Sequence, residues 1–585
     1  MAKQAAVLDN SVSAQPLQFS LSRRMIDHLT GWLLSLPSLF LMGVLLIGLV
    51  MVVVLLSFTD WTLGDEAFAW IGSENYREML GEETFWKALV NTFIYVGIVV
   101  PSSVALGLGA ALLIESLALG KGLWRSVYFL PVMSTLIAMA IVWEFLLHPK
   151  FGMLSLALGW LGIDSPFWLT TAETALPALC VIAIWQAVGF NMVLFMAGLT
   201  SIPRELYDAL EMDGARTTWD RFWTVTWPLL SPVTMFVVVI SAIRSFQVFD
   251  TVHVLTQGGP DNASMVLVYA IYQEAFEFFR SSYAAGLTVV FLIFIFILTL
   301  IKVFFIEKRV YLKRSWGVEL IKHTVLVIGA VFILAPFVEM LSTSIKAESE
   351  IYEATLRLWP HIPDFANYHE ALTEQPLLRY MLNGLIVTVS IFFLQVLIAL
   401  PCAYALAKLR WWGRDMVFAL VLLCLLIPPH TIAIPLYLLF YRIGILDSYA
   451  ALIVPWTISV FGIFLMRQFF KTVPDDLVDA ARMDGISEFG IVWRVMLPTA
   501  IPALIAFGIF SVVAHWNDYF WPLVVLSSEE YYTPPLGVAN FRNEEWGSSY
   551  GPLMATAAII IAPLVIAFLL AQRRFIEGIT FTGMK

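Results

Sequence analysis

Pro203-Arg204-Glu205-Leu206-Tyr207-Asp208-Ala209-Leu210-Glu211-Met212-Asp213-Gly214 and Pro474-Asp475-Asp476-Leu477-Val478-Asp479-Ala480-Ala481-Arg482-Met483-Asp484-Gly485 are two copies of one short passage. Pro, Leu, Asp, Ala, Met, Asp and Gly coincide at seven positions, every pair 271 residues apart. Trp223 and Pro228 recur as Trp493 and Pro498 at 270, so one extra residue lies in the first loop. Each copy reads as a helix of about three turns. Its proline suits the first helical position, and Glu205, Asp475 and Asp476 follow where the helix dipole favours negative charge. Asp213-Gly214 and Asp484-Gly485 close it, the glycine being free to turn left-handed. Leu206, Ala209 and Leu210, like Leu477, Ala480 and Ala481, form one small apolar side. Asp208 and Asp479 offer a carboxylate to a partner's arginine. The repeat preserves charged and small residues alike, which fits a docking knob better than the alternative, a generic amphipathic helix lying on a membrane surface.

The rest of the chain is of a different kind. Its 585 residues are 60% hydrophobic and 13% charged, with a mean hydropathy of +0.82, a composition that excludes a soluble fold. The net charge of −10 is a property of loops such as 58–87, which carries seven acids against Arg77 and Lys87. Cys180, Cys402 and Cys424 lie in apolar runs without metal-ligand spacing and read as small core residues; no metal site is expected.

Apolar runs of about 20 residues, the length that crosses a bilayer, fall near 31–57, 88–114, 124–146, 175–199, 229–253 and 284–306. A second set falls near 323–345, 384–408, 416–438, 450–470, 499–525 and 553–572. The reading is an all-α polytopic membrane protein, about 12 transmembrane helices in two parallel six-helix halves. The expected division is a segment 1–30, a first half 31–306, a junction 307–322 and a second half 323–585. Lys and Arg cluster at Arg23 and Arg24, at Lys308, Arg309, Lys313, Arg314 and Lys322, and at Arg573 and Arg574, which places both termini and the junction in the cytoplasm. Residues 1 to about 20 read as disordered, and the first run as a retained span without a cleavage site. A second register ties the halves together: Asn75, Tyr76, Glu78 and Asn91 recur as Asn367, Tyr368, Glu370 and Asn383, each 292 apart. The offset therefore drops by 21 before the duplicated loop, and the extra residues fit the stretch 147–174, longer than its counterpart 439–449.

At these residues the chain resembles the permease subunits of binding-protein-dependent ABC importers, whose cytoplasmic loop carries Glu-Ala-Ala, then Gly, then Pro. Here the motif stands as Asp208-Ala209-Leu210 with Gly214 and Pro228, and as Asp479-Ala480-Ala481 with Gly485 and Pro498, Asp replacing Glu in both. The first half is similar to the first permease of the maltose-type carbohydrate class, through Ser57-Phe58-Thr59-Asp60-Trp61 and Phe246-Gln247-Val248-Phe249-Asp250 leading to Gly258-Gly259-Pro260. The second resembles its partner, through Ser342-Thr343-Ser344-Ile345-Lys346, Trp516-Asn517-Asp518-Tyr519-Phe520-Trp521-Pro522 and Gln572-Arg573-Arg574-Phe575-Ile576-Glu577-Gly578. The resemblance implies two type I importer permeases fused in one chain of a bacterial inner membrane. It also implies homodimeric or heterodimeric ABC ATPase subunits gripping the loop helices, an extracytoplasmic solute-binding protein delivering a carbohydrate or polyol, and alternating access. The chain shows no G-x-x-x-x-G-K-[ST] cradle and no nucleophilic constellation, so ATP and magnesium belong to the partner ATPase. No cofactor of this chain is expected, and nucleic acid is not among its expected partners. An ion-driven carrier is the rival, with a membrane enzyme behind it; neither has reason to duplicate a docking helix.

Polar groups inside the bundle are costly and mark a pathway. Ser241, Arg244, Gln247 and Thr251 follow one broad face of the fifth span at about 100° per residue, and Asp250 is counted among the pathway residues with them. Gln186 and Asn191 of the fourth span meet them, with Trp185 and Phe190 as platforms for a sugar ring. Helix-to-helix hydrogen bonding is the other use for such groups. Arg244 meets either an acidic group on the solute or a protein carboxylate, and the cost of an unpaired charge in a membrane favours the second. Ser511, His515 and Asp518 share a face suited to gating or helix pairing.

Overall fold

The computed structural model describes residues 23–65, 67–117, 120–200, 202–212, 222–304, 318–353, 357–543 and 550–581. These are helices and connecting turns, with a single isolated bridge between Thr59 and Trp70. Seven helices are long and apolar enough to cross a membrane unaided: Met25–Leu56, Glu83–Glu115, Ala172–Thr200, Phe222–Leu255, Leu326–Thr343, Leu377–Lys408 and Tyr550–Leu570. Four bent pairs reach that length and apolarity when each is counted as one span, and the shorter apolar helix Ser281–Phe304 stands at the sixth place. These are called spans one to twelve below, six to each half. Side-chain period sets their orientation. In span eight, Tyr380, Asn383, Val387, Ile391 and Gln395 are buried, while Leu382, Leu385, Val389 and Phe393 are exposed, a stripe for lipid opposite a stripe for the bundle.

The unbroken runs expected at 124–146, 416–438, 450–470 and 499–525 are corrected by the structure. Lys121–Met133 meets Leu136–Leu146 at 98°, Arg414–Cys424 meets Pro429–Ile443 at 92°, Tyr449–Trp456 meets Val460–Phe470 at 42°, and Glu488–Thr499 meets Ile501–Trp516 at 85°. Prolines account for the sharpest breaks. Pro428 lies extended because Pro429 follows it, and Pro131 precedes the extended Ser134 and Thr135, with the Ser134 hydroxyl donating to the Pro131 carbonyl at 2.7 Å. Beyond Trp516 the chain leaves the helix and re-forms one only at Phe520–Val525.

The first span of each half packs on the opposite half. Span one lies along span eight, where the Ser38 hydroxyl donates to Ile398 O at 3.2 Å and Trp32 meets Trp411 edge-on at 4.9 Å. Span seven lies on spans three and four, receiving Tyr128 Oη at Leu326 O (3.0 Å) and Trp185 Nε1 at Ile333 O (3.1 Å). The 292-residue register acquires a structural reason. Asn75 Nδ2 donates to the carbonyls of Ser57 and Thr59, and Asn367 Nδ2 to those of Ser344 and Lys346. Asn91 holds the carbonyls of Asn262 and Met265, and Asn383 those of Glu530 and Tyr532. Each asparagine supplies two donors to loop carbonyls that no helix satisfies. The additional residues of the first half sit where the sequence puts them, in a connection containing the short helix Met153–Trp160. Residues 1–22 and 305–317 of the junction lie outside the described residues.

Candidate translocation cavity and loop helices

The loop helices occupy matching places between the fourth and fifth spans of each half. They run Arg204–Met212 and Asp475–Met483, nine residues each. Of the docking residues, Asp213 and Gly214 lie outside the described residues, as do the side chains of Asp208 and Ala209. Glu205, Asp476, Ala480 and Asp484 are exposed. Pro474 stands one place before the helix proper. Gly485 takes φ +76, and the Gly485 and Ile486 amides donate to the carbonyls of Arg482 and Ala481 at 3.1 and 3.0 Å, a left-handed terminus that closes the helix.

Two details of the second helix correct the sequence reading. Ala481 is buried against the protein, so the outward apolar side is Leu477 and Met483, matched in the first helix by Leu206 and Met212. Asp479 is engaged within its own helix, accepting from Arg482 Nη1 at 3.0 Å. Arg482 in turn grips Glu488 (2.6 and 3.2 Å), and Glu488 accepts from Tyr404 of span eight. Hydrogen bonding to Glu488 raises the Arg482 pKa further. At the other end Lys408 Nζ donates to Asp475 and to Val473 O, both at 2.5 Å, and holds the Asp475 carboxyl below its ordinary value. The helix is thereby tied to spans eight and eleven by charge-assisted bonds.

A cavity of about 600 Å³ lies between the fourth and fifth spans of both halves. Its wall is largely apolar and includes Phe190, Phe236, Phe461, Phe464, Phe507 and Phe510, with Phe510 edge-on to both Phe190 (5.9 Å) and Phe461 (5.7 Å). Of the pathway residues expected from sequence, Phe190 and Arg244 reach this wall. Trp185 is fully buried on span seven. Asn191 is buried between helices, donating to Ser103 Oγ at 3.2 Å and accepting from Ser241 Oγ at 2.9 Å, so that it joins spans two, four and five. Gly107 permits this, since a Cβ there would lie 2.7 Å from Asn191 Cβ. Gln186 is half-buried and off the cavity wall. Gln247, Asp250 and Thr251 do not line the cavity: the span Phe222–Leu255 is interrupted just after Phe246 and resumes at Asp250, so the helical period does not carry across. The Thr251 hydroxyl is buried without a hydrogen-bond partner among the described residues. Arg244 forms no pair with a described carboxylate, contrary to the favoured expectation; its guanidinium lies over the Phe190 ring, 4.0 Å from the centroid.

The second half supplies what sequence reasoning missed. Gln395 of span eight donates to Trp456 O (2.8 Å), meets His515 Nε2 (3.1 Å) and accepts from Ser511 Oγ (2.7 Å). Ser511 and His515 thus pair helices, while Asp518 accepts from the Trp521 amide at 3.3 Å. Phe461 stands 271 residues from Phe190, so that repeat register was a signal for this wall, while Gln395 stands 292 from Ser103, which does not line it. Past Arg244, on the side away from the loop helices, the halves close on each other. Asn517 bonds Thr135 Oγ1 (3.0 Å) and Ser134 O (3.3 Å) at the break in span three, and Phe249 packs edge-on to Phe520 at 4.8 Å, beside His430 at the break in span nine.

The chain matches the family described as "Binding-protein-dependent transport system inner membrane component" twice, over residues 80–311 and 395–580. It is 33% identical over 255 residues to the arabinooligosaccharides transport system permease protein AraQ of Bacillus subtilis (strain 168), covering 43% of this chain and 90% of that protein. It is 31% identical over 257 residues to the sn-glycerol-3-phosphate transport system permease protein UgpA of Agrobacterium fabrum (strain C58 / ATCC 33970), covering 43% and 86%. A solved bacterial ABC transporter involved in the import of the acidic polysaccharide alginate aligns at 26% identity and a TM-score of 0.42, over 45% of this chain and 99% of that one. Each relative accounts for less than half of this chain while nearly all of the relative is covered, as a fusion of two permeases requires.

Proposed function

The chain belongs to the family of binding-protein-dependent transport system inner membrane components, and from that premise we propose that its two halves form the transmembrane pathway of an ABC importer moving a carbohydrate or polyol inward. The observation that carries this reading is the loop helix: nine residues, present once in each half between the fourth and fifth spans, with Leu and Met exposed at matched positions. Two equivalent handles suit a two-subunit ATPase, homodimeric or heterodimeric, which supplies ATP and magnesium chemistry. An extracytoplasmic binding protein delivers the solute to the opposite side. Both termini and the junction lie in the cytoplasm with the helices, the side that the lysine and arginine clusters favour.

The second helix is braced for transmitting force. Movement imposed on Asp475–Met483 reaches span eight through Lys408 and Tyr404, and the fifth span of that half through Glu488. ATPase closure then tilts the spans that line the cavity, and access alternates between its two ends. The carbohydrate class is supported by an aromatic wall able to lie against sugar C–H faces and by the solutes in the relatives' names, arabinooligosaccharides and sn-glycerol 3-phosphate. Co-purification with candidate ATPases tests the reading, followed by Asp208→Arg and Asp479→Arg. The second change sets a cation beside Arg482 and offers a partner's arginine repulsion in place of a bond. The expected outcome is loss of assembly or of coupled ATP hydrolysis; if both survive both changes, the docking assignment is wrong.

A further inference from the structure

Arg244 is the one cation on the described cavity wall, and that wall carries no carboxylate. The position matched to it in the other half, 270 residues on, is Ala514, which lines the same cavity. The remaining polar groups there are mostly spent on the protein. Gln395, Ser511 and His515 bond one another, and the Ser459 hydroxyl accepts from the Gly462 amide at 3.0 Å. Arg244 and Gln468 are left without a side-chain hydrogen bond to any described residue. The Phe190 ring under Cζ offers no hydrogen-bond acceptor in the guanidinium plane, so the N–H donors are left for a ligand. An apolar surround strengthens whatever anion meets those donors, and it makes the bare cation costly.

Resting on the importer reading above, we propose that Arg244 selects a solute bearing an oxyanion, a sugar or polyol with a carboxylate, phosphate or sulfonate group, whose oxygens take the guanidinium fork while the carbon skeleton lies against the phenylalanine wall. Planar two-oxygen recognition of this kind is what arginine does and lysine does poorly.

The full chain in lipid nanodiscs, assayed by equilibrium dialysis, decides this with matched probes: digalacturonate against its dimethyl ester, and glycerol 3-phosphate against glycerol. At least one charged probe is expected to bind about tenfold or more tightly than its neutral partner, the scale of a charged hydrogen bond. Arg244→Gln should erase that preference, and Arg244→Lys, which keeps the charge and guards against a folding defect, should retain part of it. Charged probes that bind no better than neutral ones, or not at all, overturn the proposal, as does a preference that survives Arg244→Gln. Failure of the importer reading looks different: vesicles holding this chain with its ATPase and binding protein would show no ATP-driven uptake, and the binding comparison, which needs no ATPase, would still judge Arg244 alone.

Discussion

The two halves share their outer brackets and differ around the cavity. Asn75 and Asn367, and again Asn91 and Asn383, do the same work with the same atoms, because each holds two loop carbonyls whose placement follows from the backbone path common to both halves. Near the cavity, matched positions part company. Asn191 faces Gly462, Ser103 faces Gln395, and Arg244 faces Ala514 across the repeat. The buried polar hub sits on span four in the first half and on span eight, the second of its half, in the other. Loop capture fixes residue identity. A hub that only needs its hydrogen bonds closed can be built from either helix, which leaves the two walls free to diverge.

The largest expected effect probes how closely helices approach in each half. A Cβ on Gly189 would lie 2.0 Å from the Tyr128 carbonyl oxygen, a backbone atom that cannot yield, while the matched position in the second half is Val460. Gly189→Val should cost about 3 kcal/mol or more and Val460→Gly about 1–2 kcal/mol, read as thermal unfolding of the detergent-purified chain. Equal melting of the two variants would break the comparison.

Next come the hubs. Gln395→Leu strands Ser511, His515 and the Trp456 carbonyl, whereas Asn191→Leu strands only Ser241, because the Ser103 hydroxyl keeps its bond to Val100 O. The first is expected to cost about 2–3 kcal/mol and the second about 1–2; the reverse order in the same melting assay would mean the hubs are not equivalent structures on different helices.

The smallest effect concerns the loop helices, which begin with Arg204 in one half and Asp475 in the other. The ion pair lost in Lys408→Ala should account for at most about 1 kcal/mol, since Asp475 is largely exposed. The Lys408 hydrogen bond lowers the Asp475 pKa below 3.8, so its contribution is fully present above that value and is lost as pH falls through the lowered one. Hydrogen exchange at the Asp475–Met483 amides should quicken in Lys408→Ala above pH 4 and match the parent chain in stronger acid. Unchanged exchange at neutral pH would show that the bridge does not hold the helix.

Much of the architecture was legible because it rests on period and repetition. The loop helices, their glycine terminus at Gly485, the excess residues in 147–174 and the asparagine register follow from local spacing. The bends were half-legible: Pro428-Pro429 announces one and Pro131 another, while the Asn517 bonds that hold Ser134 and Thr135 come from the other half and no local pattern specifies them. The fifth-span face failed at Gln247 because a helical wheel assumes an unbroken helix, and burial of Ala481 failed because period alone does not say which side of a short helix meets the protein.

By itself, the sequence determined an all-helical membrane chain made of two like halves, each with a short polar helix, since length, apolar period and repeated spacing act along the chain. Only tertiary structure decided that each first span crosses to the opposite half, that Asn191 and Gln395 close hubs on different helices, and that Arg244 faces open space. Those outcomes depend on contacts between residues hundreds of positions apart, whose partners no local pattern specifies.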